Sequence, residues 1–389
     1  MKLLTVLSLL LAAAFQDAKK PPAPAPQVDE SKVQQAIEKG VAYLRTAPSP
    51  PAHAGIKNSD ELILWTLIHA GIPETDAQVQ KLLKGMLAAP LEKTYKVALQ
   101  AMILEELERV KHQGRIAQCA QFLMDNQCQN GQWGYGSPSE FVKEIETPRT
   151  AKPVATETPK EGVRDFGPAP AAERKKPKVV QEILVKKLKE GPAAGDNSNT
   201  QYAALGLRAC YDSGIMIPEP VVVLAVKWWR ESQHPADPKE GVYAGRGWNY
   251  KDPAAQPDKK PYLAMTAGGT SCLVIYDYML GREWKRDTFV KNGMTWLADN
   301  FAANTNYYYM YGLERTGILY GTEKFGDHEW YPKGAAVLLK AQKPDGSWGK
   351  HKDGDKDEAD RNTHDTCFAI LFLRRATRAL VITESGKTK

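Results

Sequence analysis

Cysteine is scarce in this chain: five occur among 389 residues, at positions 119, 128, 210, 272 and 367. The odd number and wide spacing exclude a disulfide framework as what holds the fold together, while a single Cys119–Cys128 bridge stays open. Cys210, Cys272 and Cys367 sit among apolar residues and read as small buried hydrophobes. A charge excess of one sign is also missing: 52 Lys and Arg oppose 46 Asp and Glu, a net charge of +6. Much of that excess falls after Ala18 and within 137–195, so no basic face for nucleic acid is expected. Long hydrophobic runs are lacking too. Leu3–Leu11 is too short for a stable membrane anchor, and no later segment approaches spanning length.

What is present begins with a leader. Lys2, the apolar run Leu3–Leu11 and the small residues Ala12, Ala13 and Ala14 read as a signal peptide over 1–14. That predicts export to a periplasmic or extracellular compartment; an unprocessed buried helix is the competing reading. Residues 15–29 are Lys- and Pro-rich, as in a disordered tether, and 381–389 form a short tail. The body, 30–380, is interrupted by 137–195, dense in Pro, Lys and Glu up to Pro177 and read as a mostly disordered insert. Within it, Val179–Leu188 has the spacing of an amphipathic helix with Lys186, Lys187 and Lys189 on its polar side. Such a helix is either solvated or in peripheral contact with a membrane.

The main signal is a repeat of the form Gly-x-x-aromatic-aliphatic. Gly40-Val41-Ala42-Tyr43-Leu44 and Gly293-Met294-Thr295-Trp296-Leu297 are full copies, and Gly85–Ala89, Cys119–Leu123, Ala225–Trp229 and Gly334–Leu338 are degenerate ones. In three copies a Gln follows, then Gly and Trp: Gln127…Gly131-Gln132-Trp133, Gln233…Gly247-Trp248 across an insertion, and Gln342…Gly346-Ser347-Trp348. After each copy comes a second apolar stretch of helical period, near 58–71, 93–109, 196–213, 266–280, 304–320 and 362–379. Six helix pairs and an all-α fold follow, because stacked repeats bury faces that no single unit can bury.

Lys-Gly-x-x-aromatic-aliphatic followed by Gln-x-x-x-Gly-x-Trp resembles the QW repeat of the squalene-cyclase and prenyltransferase β-subunit superfamily. Lys333-Gly334 through Gln342-Lys343-Pro344-Asp345-Gly346-Ser347-Trp348 carries the likeness, apart from Val337. The resemblance implies an α6/α6 toroid in which the second helix of each pair lines the inside. Its known chemistries leave little mark here. The Asp-x-Asp-Asp acid of the cyclases is absent; Asp353-Gly354-Asp355-Lys356-Asp357 is the nearest text and follows a QW turn. Asp365-Thr366-Cys367 has the Asp-x-Cys spacing of the zinc-binding transferases, but the neighbouring inner helix offers only His69, near its far end. The thioester signature Gly-Cys-Gly-Glu-Gln is missing. No metal or cofactor is expected, and the acidic run Asp353–Asp360 lacks the EF-hand pattern.

The same family geometry gathers the N-termini of the inner helices at one mouth. His364, Asp365 and Asp196 are the candidates for acid–base catalysis there. Asn199, Gln201, Tyr307, Tyr308, Glu314 and Trp248 are the candidates for ligand binding. The competing readings are simple: Asp196 and Asn199 are ordinary N-cap residues, the buried charges of Glu314 and Arg315 are met by a salt bridge between inner helices, and Trp248 belongs to the repeat. Two functions stand. One is a binding or scaffold protein that holds a small molecule, lipid or glycan. The other is an enzyme, either a polysaccharide lyase or hydrolase or a divergent terpenoid cyclase. A plugged interior points to the first, an apolar chamber with a buried acid to a cyclase.

Overall fold

The computed structural model describes residues 28–46, 60–145, 156–157, 176–235, 246–254, 256–349 and 358–380. The leader, most of the tether, the middle of the insert, the acidic run up to residue 357 and the tail lie outside the described residues. Among the described residues there are twelve α-helices. They pair as α1 Glu30–Thr46 with α2 Asp60–His69, α3 Ala77–Ala88 with α4 Thr94–Glu108, and α5 Gln113–Asp125 with α6 Asn197–Asp212. The remaining pairs are α7 Glu219–Glu231 with α8 Leu263–Met279, α9 Thr288–Asp299 with α10 Tyr307–Tyr320, and α11 Trp330–Ala341 with α12 Glu358–Arg374. The chain is all-α, with strands of two residues only among the described residues.

The two helices of a pair differ in kind. Several odd-numbered helices bury a single stripe, such as Val79 and Met86 of α3 or Val290, Gly293 and Leu297 of α9. That is the pattern of a helix with one face in water. Even-numbered helices are buried all round: Glu61–Ile68 of α2 and Ala264–Tyr278 of α8 have no exposed side. Each even helix packs on the next, and α12 packs on α2, so the contacts return to their start. Outside them, α3 lies on α2, α5 on α4 and α6, α9 on α8, and α1 on α12.

Three turns with the same bonds fasten these layers. The indole N–H of Trp133, Trp248 and Trp348 donates to the carbonyl of Leu123, Trp229 and Leu338, at 2.6, 2.8 and 2.8 Å. Those acceptors share one position of the repeat. Each tryptophan's backbone N–H donates to a threonine hydroxyl of the following even helix: Thr200 at 3.0 Å, Thr266 at 3.1 Å and Thr366 at 2.9 Å. The glutamine amides reach the start of the next odd helix, Gln127 to the Val221 carbonyl, Gln233 to Phe289 and Gln342 to Ala36. The last of these runs from the end of α11 back to α1. There a Cβ on Gly40 would come within 2.8 Å of the Trp348 ring, so only glycine allows the approach. Each turn buries a large ring with its N–H satisfied.

One stretch departs from expectation. Residues 179–188 are extended, with Ile183–Leu184 parallel to Ile215–Met216. The side chains of α5 take up backbone groups that a helix would have satisfied internally. Gln113 donates to the Gln181 carbonyl at 2.6 Å and Gln121 to Lys186 at 2.7 Å. The amides of Leu188 and Lys189 donate to Asp125 at 2.9 and 3.2 Å. All five cysteines are free and buried, so Cys119 and Cys128 are not bridged. No described helix is long and apolar enough to cross a membrane.

Candidate functional site

The first turns of the even helices meet at one end. The hydroxyls of Ser198 in α6 and Tyr308 in α10 lie 3.0 Å apart, and Gln201 donates to the Tyr308 hydroxyl at 2.6 Å. Tyr308 stands edge-on to Phe368 of α12, with centroids 5.5 Å apart. Lys96 of α4 reaches Glu61 of α2 at 3.4 Å. Tyr307 is buried beside Asp365, and burial first, then that carboxylate, push its hydroxyl up to about 12.

The other end is closed by the segment after α12. The Thr377 amide and hydroxyl donate to Glu314 at 2.9 and 2.7 Å, and Arg378 makes two bonds to Glu106, at 2.7 and 2.5 Å. Arg208 of α6 donates to the Ala379 carbonyl, and Arg374 to that of Ala70. Lys176 pairs with Glu105 and Glu106 from the insert side. Burial works to raise the Glu106 pKa, but Lys176 and Arg378 outweigh it and hold the carboxyl well below its usual range. Cations at helix C-termini are also favoured by the helix dipole.

Between the ends, large side chains of the even helices reach across the interior. Trp65 of α2 donates to the Tyr311 hydroxyl of α10 at 3.2 Å, and Tyr311 stacks on Phe368. Arg315 of α10 spans to α6, donating to Gln201 at 2.6 Å, with its guanidinium 4.5 Å from the Tyr311 ring centroid. These side chains join helices that are not neighbours in the cycle of contacts.

No protein-family model matches this chain, and no curated protein matches it. The site is therefore read from its residues alone. Asp196 caps α6: its carboxylate accepts from the Asn199 amide at 2.8 Å and from the Asn199 side chain at 2.9 Å. Gln201 holds Arg315 and Tyr308 together. His364 and Asp365 are half-buried near the start of α12, and both are engaged with other groups. Two expectations need correction. Glu314 is fully buried and faces Thr377 at the closed end, so a ligand at the mouth does not meet it. Trp248 is fully buried with its N–H spent on Trp229, because it builds a turn. Arg315 of α10 meets a neutral partner on another even helix, Gln201 of α6.

Among the described residues no three His, Cys, Asp or Glu side chains converge as a metal-ligand set. Burial pushes the Cys367 thiol up to about 12, and it bonds Thr66. His69 ends α2 near Glu106, away from Asp365. Sequence reasoning pointed to Tyr250 as an aromatic that could stack on sugars but missed Tyr135 and Tyr262 beside it. Tyr135 and Tyr262 are 45% and 40% exposed, and Tyr250, whose hydroxyl bonds Asp196, lies with them. Burial, then Asp196 and Tyr135, raise the Tyr250 pKa. The available signal was position: Tyr135 and Tyr250 each stand two residues after a turn tryptophan.

Proposed function

We propose that this chain is an exported α6/α6 toroid of the squalene-cyclase and prenyltransferase repeat type, acting as a binding or scaffold protein with its ligand at the N-terminal mouth. The large side chains that cross the interior carry this reading. A cyclase needs an apolar chamber in which a polyprene can fold, and Trp65, Tyr202, Tyr311, Phe368 and Arg315 occupy that space. The one acid buried on α10, Glu314, is bound by Thr377. Toroid closure is supported by the return of contacts from α12 to α2, and export by the Lys2–Ala14 pattern. Fold alone does not give function, so the ligand class rests on the mouth.

A glycan suits it best. The partly exposed rings of Tyr135 and Tyr262 can stack on sugar faces, while Tyr250 and neighbouring amides bond hydroxyls. A polysaccharide lyase or hydrolase is the second reading, favoured by His364 and Asp365 at the same mouth. Thermal unfolding against glycan and lipid libraries tests both. A glycan should raise the melting temperature of the wild type and of His364→Ala, and the rise should vanish in Tyr135→Ala/Tyr262→Ala. Glycan cleavage that His364→Ala or Asp365→Ala abolishes would replace binding by catalysis. No shift with any library member would end the mouth reading.

A further inference from the structure

We propose that the outward face of residues 180–188 is a contact surface for a second copy of this chain, the two strands meeting face to face and antiparallel about Leu184. Large apolar side chains are seldom exposed in this protein. Eight occur among the described residues, and four of them lie here: Leu184 at 70%, Val180 at 56%, Leu188 at 47% and Met216 at 45%. Leu184 and Met216 are register partners in the parallel ladder, so their side chains stand together on one face. Along the strand, outward and inward positions alternate. Val180, Glu182, Leu184, Lys186 and Leu188 are exposed, while Ile183, Val185 and Lys187 between them are half-buried or buried. An exposed apolar cluster interleaved with charge marks an interaction surface.

The order of those five residues identifies the occupant. Apolar, acidic, apolar, basic, apolar is its own complement when reversed. A two-fold axis through Leu184 sets Val180 against the partner's Leu188 and Glu182 against the partner's Lys186, each contact occurring twice, with Leu184 on its own image. Within the described residues the ion pairs of this stretch use Lys176 and Lys187, and Glu182 and Lys186 make none. An anionic bilayer would accept Lys186 and the apolar side chains but repel Glu182 in the middle of the strip; a second copy uses all five. The strand is also fastened from behind. Gln113 and Gln121 of α5 hold the Gln181 and Lys186 carbonyls, and Asp125 holds the Leu188 amide, so the face is presented already ordered. At ~3.3 Å per residue the strip is ~26 Å long. That is narrower than the ~800 Å² per partner of a standard interface, so the dimer should be weak, with a dissociation constant on the order of 10–100 µM.

This surface goes beyond the mouth reading and does not depend on it. Sedimentation velocity on the full chain from about 1 to 500 µM tests it. The wild type should pass from monomer to dimer across that range. Leu184→Glu, which sets two carboxylates on the axis, should stay monomeric. Glu182→Lys and Lys186→Glu should each weaken the dimer about tenfold, because each puts like charges opposite one another at two symmetric contacts. Mixed in equal amounts, these two variants should associate as tightly as the wild type, since each supplies the charge the other lacks. All three positions are exposed, and circular dichroism with an unchanged melting temperature checks folding; should Leu184→Glu not fold, the mixing experiment decides. The proposal is overturned if the wild type stays monomeric throughout, if Leu184→Glu dimerises as well as the wild type, or if the mixture associates no better than its parts. It is overturned equally if monomeric wild type cosediments with phosphatidylglycerol vesicles and Leu184→Glu does not, an outcome that makes a lipid surface the occupant.

Discussion

Trp348 is held by its ring N–H, by its backbone N–H and by the glycine beneath it, and each hold makes a separate claim about stability. Thr366→Val keeps the shape of the side chain but leaves the Trp348 amide buried and unpaired. The expected cost is ~1–3 kcal/mol, read as a lower urea midpoint with unchanged slope; a shift near zero would remove the threonines from the repeat. Asp277 supplies a pH test. Its carboxylate is buried with Oδ1 unpaired, Arg230 is 3.9 Å away, and Asp287 takes that arginine's closer bond. Burial first, then the like charge of Asp287, push its carboxyl up to about 6. An unfolded aspartate titrates near ~4, so the folded state binds this proton more tightly. Its contribution is complete below pH ~4 and is lost as pH rises through ~6. Asp277→Asn should remove ~1–3 kcal/mol of pH dependence in that window, measured by denaturation from pH 3.5 to 7. At this scale the turn residues were legible because Gln, Gly and Trp have few alternative uses at that spacing. Thr366 was not, since threonine near a helix start also reads as a cap. Two threonines do stand 18 residues after their tryptophans, a regularity visible once the bonds are known.

The elements were more legible than their ends. The six second helices fall where apolar spacing puts them, yet α12 stops at Arg374 rather than near 379. Arg375 takes a positive φ of 50°, with its amide bonding the Phe372 carbonyl and the Ala376 amide that of Leu371, which is the Schellman ending of a helix. Nothing in an arginine announces that ending. Freed from the helix, 375–380 crosses the far end of the bundle. Deleting 375–389 takes Arg378 from Glu106 and Thr377 from Glu314, leaving buried carboxylates short of partners. A loss of ~3–5 kcal/mol is expected for the first of these alone, so the truncated chain should melt far below the full one. Equal melting temperatures would mean the segment only decorates the surface. The 179–188 stretch failed for another reason. Val180, Leu184 and Leu188 recur every fourth residue, which suits a helix face and one face of an extended chain equally. The choice was made by the glutamines and Asp125 of α5, which no local pattern in the segment contains.

Across the whole molecule, the contacts of α12 with α2 and of the last turn with α1 make the repeats one cooperative body. Circular dichroism and tryptophan fluorescence should therefore give superimposable unfolding curves; separated midpoints would indicate repeats that melt independently. The seam can also be weakened by itself. Gly346 has φ +88°, and a Cβ there would lie 2.4 Å from the Lys39 carbonyl. Gly346→Ala should cost at least ~1–2 kcal/mol and speed amide exchange in α1 more than in α7. The packing of α12 on α2 was foreseeable only through the family likeness. What crosses the interior was not, because the partners of Arg315 and Trp65 come from helices more than a hundred residues away.

The latch between Gln342 and the Ala36 carbonyl joins points 306 residues apart. A chain that emerges N-terminus first must therefore hold α1 unfinished, its stripe of Val33, Ile37 and Leu44 uncovered, until nearly everything else has been made. The earliest helix is the last to be sheltered, and whatever guards it in the interval acts on a sequence of apolar residues that the finished protein never displays.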